Sequence, residues 1–422
     1  VTTAPSLARR LGLTDAIVIG LGSMIGAGVF AAFTPAAQAA GNGLLVGLVV
    51  AAFVAFCNAT SSAQLAAVYP MSGGTYIYGR ERLGEWWGFV AGWSFVVGKT
   101  ASCAAMALVF AAYAAPAGWE RPVAIAAVLA LAAVNYFGVT RTATLTRVIV
   151  VVVLLALAVV TAAGASAGVV VADAFAPSGL LAGGVYGMLQ SAGILFFAFA
   201  GYARIATMGE EVREPARTIP RAITIALAIT VVVYAMIAAV TLATLGAEGL
   251  AGSDAPLADV AAVSGWSWAQ PVVRIGAATA SLGALLGLIA GIGRTSLAMA
   301  REGDLPRWLA AVHPRFHVPH RAEIALAVIV STILLVADLR GAIAFSSFGV
   351  LLYYFVANVA AFTQPSEHRR YPRALQVVGA ISCVALVVTL PPQGVVRGVA
   401  VLVAGVAYRL FRQAIGNRRV SG

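Results

Sequence analysis

Apolar runs long enough to cross a lipid bilayer dominate the chain, and short polar segments carrying most of the charge separate them. Twelve runs are legible, near 13–39, 44–67, 87–115, 122–138, 145–167, 184–208, 221–245, 271–298, 322–338, 342–362, 374–390 and 394–411. Each predicts a helix, because about 20 apolar residues cover a hydrocarbon core of about 30 Å. A membrane barrel would show a much weaker alternation. Several runs exceed that minimum, which permits tilt or interruption. The expected fold is all-α and integral to the membrane.

The first run is interrupted. Gly20 to Phe30 reads GLGSMIGAGVF, with glycines at 20, 22, 26 and 28 and Ser23 among them. Each glycine weakens a helix interior by about 0.5–1 kcal/mol relative to alanine. Backbone freed there is tolerated at membrane depth only inside protein or beside a watery cavity. Gly22 and Gly26 also form a GxxxG pair, so close helix packing is an equal reading of this stretch. A nucleotide-binding loop is excluded by the spacing and by the lack of a preceding strand.

Composition agrees with the pattern: 61% of residues are hydrophobic and 10% charged, against about 25% charged in a soluble domain. The sequence predicts no cleavable signal peptide, since the first run follows Arg9 and Arg10 and continues into the rest. Cys57, Cys103 and Cys383 fall inside apolar runs and read as small core side chains. Alternating the loops from a cytoplasmic N-terminus puts 21 of the 27 basic residues inside and four outside. That skew follows the positive-inside rule, and it places both termini in the cytoplasm. The net charge of +11 is thereby explained by topology, without a nucleic-acid partner.

Two cations remain within the runs. Lys99, the only lysine, lies about 18 Å along a helix beyond Trp87, near mid-bilayer. Arg204 follows Gly201 in the sixth run. No Asp or Glu is assigned to a run interior, so neither has an obvious acidic partner there. Arg204 reads as reaching toward Glu210 or Glu211, or as a functional cation. Lys99 suits a group that gains and loses a proton during a cycle.

The sixth run answers the first. In FFAFAGYARIAT (Phe196 to Thr207), Gly201 interrupts an aromatic-rich stretch five runs after the first interruption. Paired interruptions in two halves point to a transporter's binding site, and an odd number of spans per half inverts the second half. Half-helix N–H groups suit an anion and half-helix carbonyls a cation. An α-amino acid carries both charges a short distance apart.

Four segments in this order resemble the amino acid–polyamine–organocation transporter superfamily. They are Gly22 to Phe30, Tyr69 to Trp93, Gly209 to Ile223 and Ala298 to Pro319, the last similar to cationic-amino-acid-transporter-like branches. The resemblance implies a LeuT-type fold: five-plus-five inverted repeats at 13–167 and 184–362, broken helices one and six, and two added helices at 374–411. It implies a carboxylate held by backbone N–H groups near Ser23, Gly26, Ala27 and Gly28. An ammonium would face carbonyls near Met24 and around Phe197, Ala198, Ala200 and Gly201. Phe197, Phe199 and Tyr202 would gate, and Lys99 and Cys103 would face substrate. Some proton-coupled relatives carry a lysine in helix five, whereas Val148 to Val160 is uncharged here. Lys99 and Arg204 are then the coupling candidates, and Arg204 disfavours a cationic substrate side chain.

Glu210, Glu211 and Glu214 read either as an inner gate pairing with Arg213, Arg217, Arg294 or Arg301, or as a solvated loop. His313, His317 and His320 lack a single helical face, which disfavours a metal site. Glu248, Asp254 and Asp259 read as a solvated outer surface. The function expected is secondary active transport of an amino acid or related amine across the cytoplasmic membrane, by proton symport or exchange. No cofactor is implied. A channel and a substrate-sensing receptor on the same fold are the alternatives; an enzyme lacks converging catalytic groups.

Overall fold

The first apolar run does not fold as one helix. The computed structural model describes residues 11–70, 73–138, 143–167, 175–209 and 211–420. In it α1 (Leu13–Met24) stops before α2 (Ala27–Ala31) and α3 (Phe33–Ala40) begin. Gly26, at φ −94° and ψ −142°, breaks the helical path. Helical bonding then runs on through Ala32, whose N–H donates to the Gly28 carbonyl at 2.9 Å.

The chain continues through α4 (Leu44–Val68), α5 (Thr75–Leu83), α6 (Glu85–Ala114), α7 (Glu120–Tyr136) and α8 (Ala143–Ser166). After α9 (Pro177–Leu181) come α10 (Gly184–Phe199), α11 (Ala203–Ala206), α12 (Pro215–Ala251) and α13 (Pro256–Val263). The last helices are α14 (Ala269–Arg301), α15 (His320–Val336), α16 (Leu339–Phe362), α17 (Arg373–Thr389) and α18 (Pro392–Val420). Among the described residues, nine helical stretches are long and apolar enough to cross a membrane.

Small residues let the long helices touch. α6 crosses α16 where Gly98 meets Gly349: a Cβ on Gly98 would lie 3.1 Å from the Gly349 Cα. One turn on, the hydroxyls of Ser102 and Ser346 bond at 2.6 Å. A second seam joins α4, α16 and α17. There Asn358 donates to Asn58 at 2.6 Å and accepts from Ser61 at 2.7 Å. Cys383 packs beside this pair, and Gly379 leaves room for the Asn358 amide. The three cysteines are free and buried, as core side chains are.

At the arginine-rich end, the buried Arg409 of α18 lies 4.8 and 4.9 Å from the rings of Trp86 and Phe89. It donates to Asp304 at 2.6 Å, and Arg80 reaches the same carboxylate at 3.1 Å. Burial raises the Asp304 pKa, while Tyr76, Arg409 and Arg80 pull it back down.

Two expectations need correction. Glu248 and Asp254 are exposed as expected, but the segment around Asp259 is not merely a solvated surface: α12 runs on to Ala251, and α13 buries Leu257, Val260 and Ala261. Those residues recur at i, i+3 and i+4, one apolar helix face. Asp259 accepts from Ser253, whose carbonyl takes the Thr34 hydroxyl at 2.9 Å. The ninth run also contains a buried carboxylate. Glu323 is 3% exposed in the first turn of α15, packed against Gly293 of α14.

Candidate functional site

Helix interruption and helix contact coincide at the centre of the bundle. α1 ends with Ile25 N–H donating to the Leu21 carbonyl at 2.6 Å. The first N–H groups of the next segment therefore start without carbonyls four residues back in their own helix. Facing them, α10 passes through a 3₁₀ turn at Ala200–Tyr202 into α11. Phe199, Ala200, Tyr202 and Ala203 keep right-handed helical angles, so this interruption tightens the helix and does not uncoil it.

Gly201 is required for contact instead. A Cβ there would lie 2.6 Å from the Met24 nitrogen. Gly28 plays the reciprocal part, since its Cβ would lie 2.7 Å from both Cα and Cβ of Ala198. Gly26 packs on α14, where a Cβ would meet that of Ala284 at 3.1 Å. Both readings of the glycine-rich stretch therefore hold: it breaks the helix and packs closely.

Two tyrosines hold these segments together. The Tyr234 hydroxyl, from α12, lies 2.5 Å from the Met24 carbonyl and 3.1 Å from that of Ala198. It bridges the end of α1 to α10. From α16, Tyr354 donates to the Ala200 carbonyl at 3.2 Å. A third, Tyr113 of α6, donates to Phe30 at 3.1 Å. Sequence reasoning missed all three. A tyrosine deep in an apolar run was the available signal, because a buried phenol needs a partner.

The residues expected at the site divide into two sets. Ser23, Met24, Gly26, Ala27, Gly28, Ala198, Ala200 and Gly201 lie on the α1–α2 and α10–α11 segments that pack on one another. The Ser23 hydroxyl is turned back to Ile19 at 2.8 Å. Phe197 is on the same stretch of α10, while Phe199 packs on Tyr234 with ring centroids 5.0 Å apart. Tyr202 stacks on Tyr354, also at 5.0 Å. Lys99 and Cys103 stand one turn apart on α6, both buried. Among the described residues, no hydrogen bond joins either to the break and no carboxylate pairs with Lys99. Arg204 is half-buried and faces Glu211 and Arg294.

Glu210 lies outside the described residues. Glu211 pairs with Arg294 at 3.9 Å, and its carbonyl accepts from Leu11 N–H at 3.0 Å. Arg213 N–H returns a bond to Leu11 at 2.9 Å. The segment entering α1 is thus tied to the one leaving α11, and Arg147 of α8 adds an ion pair to Asp15. Glu214 meets Arg217 at 3.9 Å in solvent. His313 accepts from the N–H groups of Arg315 and Phe316 at 3.2 Å through Nδ1, so one imidazole nitrogen serves a turn.

These features define a multi-pass helical membrane protein with interrupted main chain at its centre. Residues 11–407 match the family model described as amino acid permease, and the chain belongs to that family. It is a transporter, not an enzyme. The chain is 59% identical to an uncharacterised transporter of Mycobacterium tuberculosis (strain H37Rv), over 98% of this chain and 93% of the relative. It is 26% identical to the branched-chain amino acid permease BcaP of Bacillus subtilis, over 96% and 93% of the two chains. Cationic amino acid transporter 7 of Arabidopsis thaliana is 29% identical over 84% of this chain and 65% of its own.

Proposed function

We propose that this transporter moves an amino acid across the cytoplasmic membrane by alternating access, in proton symport or in exchange. The observation that carries this reading is the break after Met24, closed against Ala198 and Gly201 and bridged by Tyr234. Substrate binds there in a conformation in which the two segments part. Its carboxylate takes N–H groups from Gly26 to Gly28, and its ammonium takes carbonyls of Met24, Ala198 and Ala200. Those carbonyls now accept from tyrosines, and each keeps a second lone pair.

The twelve runs cross the membrane as two inverted repeats, 13–167 and 184–362, with 374–411 added and both termini cytoplasmic. Phe197, Phe199 and Tyr202 close one side of the site. Leu11, Glu211 and Arg294 close the other. Lys99 and Arg204 are cations near the pathway, so the substrate side chain is uncharged or acidic, and Lys99 carries the coupling proton. A thermal-shift screen of the twenty amino acids against purified protein tests this. One or more neutral or acidic amino acids are expected to stabilise it saturably; stabilisation by arginine and lysine alone would reverse the substrate class. Tight binding without counterflow in proteoliposomes would favour a sensor.

A further inference from the structure

A cavity of about 420 Å³ opens where the start of α12 meets the segment before α17. It is lined by Arg217, Pro220, Arg221, Thr224, Ile225, Arg370 and Tyr371. Three arginines line this space, all of them exposed. Arg217 has a distant partner in the exposed Glu214, at 3.9 Å. Among the described residues, no carboxylate pairs with Arg221 or Arg370. Three clustered cations with so little compensating charge suit an anion.

Its surroundings say which kind. Below the arginines, α12 exposes Ile225, Ala228, Ile229, Val232, Ala235 and Met236, the i, i+3, i+4 rhythm of one helix face. Ile225 belongs both to the cavity and to this face. From Ile225 to Met236 the face extends about 16 Å. That matches one leaflet, about half of a ~30 Å hydrocarbon core. Positive charge at one end and a leaflet's depth of apolar surface below it describe the complement of a phospholipid. A small soluble anion would use only the arginines.

We propose that this cavity binds the phosphodiester headgroup of an anionic phospholipid, whose acyl chains lie along the exposed face of α12. Tyr371, half-buried in the cavity lining, would stand at the interface, where an amphipathic ring is at home. Gln64 fixes the far wall, its Oε1 accepting from the N–H groups of Arg370 and Tyr371 at 2.9 and 3.1 Å. Because α12 also carries Tyr234, a bound lipid steadies the helix that bridges the two central segments.

The test is native mass spectrometry of delipidated full-length protein with phosphatidylglycerol or phosphatidylcholine of matched chains. Wild type is expected to retain phosphatidylglycerol at least five-fold more tightly. The variant R217A/R221A/R370A should lose that preference. The control R301A/R307A/R315A removes equal charge from exposed positions elsewhere and should keep it. Glycerol 3-phosphate and inorganic phosphate are added as competitors and should not displace the lipid. Equal loss in the control would reduce the effect to bulk charge and overturn the proposal. Displacement by either soluble phosphate at concentrations comparable to the lipid would overturn it in favour of a soluble anion. No preference in wild type would overturn it outright.

Discussion

Replacing Tyr234 with phenylalanine removes one oxygen and leaves the ring in place against Phe199 and Phe33. The hydroxyl carries one proton, shared between the carbonyls of Met24 at 2.5 Å and Ala198 at 3.1 Å. Its removal strips both buried acceptors of that donor, at a cost of about 1–3 kcal/mol. The expected fall in unfolding temperature for a chain of this length is roughly 1–3 °C. The functional effect should be separable from that loss. Once the bridge is gone the two segments part more readily, which favours the conformation that binds substrate. A shift of about 1.4 kcal/mol toward that conformation strengthens affinity up to tenfold. Tyr113→Phe is the matched control, because it deletes the same kind of bond, to Phe30, on the far side of the break. Both variants should lose similar thermal stability. Only Tyr234→Phe should gain, up to about tenfold, in the affinity of whichever amino acid stabilises the wild type. Equal affinity changes in the two, or no gain in Tyr234→Phe, would refute the bridging role.

Lys99→Met should raise the unfolding temperature, since a buried ammonium without a carboxylate partner is replaced by an apolar chain of similar length. The same variant should lose accumulation driven by a pH gradient in proteoliposomes while exchange persists; gradient-driven accumulation at the wild-type level would make Lys99 structural. Asp304→Asn leaves the buried Arg409 short of its closest counter-charge, and should cost about 3–5 kcal/mol by thermal unfolding. A change below about 1 kcal/mol would mean that Glu85 alone suffices. Glu323→Gln should hold or raise the unfolding temperature, because one oxygen of the buried carboxylate has no hydrogen-bond partner. A fall of several degrees would instead mean that Arg294 pairs with Glu323 strongly.

The interruption of helix one was legible because four glycines in nine residues leave a helix few alternatives. The state of helix six was not, because one glycine is compatible with uncoiling or with close contact. Contact with the Met24 peptide is a tertiary fact. Tyrosine bridges from α12, α16 and α6 were invisible for the same reason: sequence gives the hydroxyl but not its partner. α13 was hidden by the flanking Ser253 and Asp254 and by its own Asp259, whose polarity outweighed an eight-residue apolar pattern. Glu323 sat at the edge of a run, where a carboxylate is ordinarily assigned to solvent. Only the packing of α15 on Gly293 shows it to be covered.

Counterflow of labelled amino acids into proteoliposomes, comparing wild type with Gly28→Ala, tests the central claim most directly. The added methyl would lie 2.7 Å from Ala198, whereas Gly291 has nothing within 4 Å of a Cβ, so Gly291→Ala is the silent control. Relieving that overlap costs about 1–3 kcal/mol, little enough for the protein to remain folded. The account predicts saturable counterflow in wild type and Gly291→Ala, and its loss in folded Gly28→Ala. Counterflow at the wild-type rate and affinity in Gly28→Ala would contradict it.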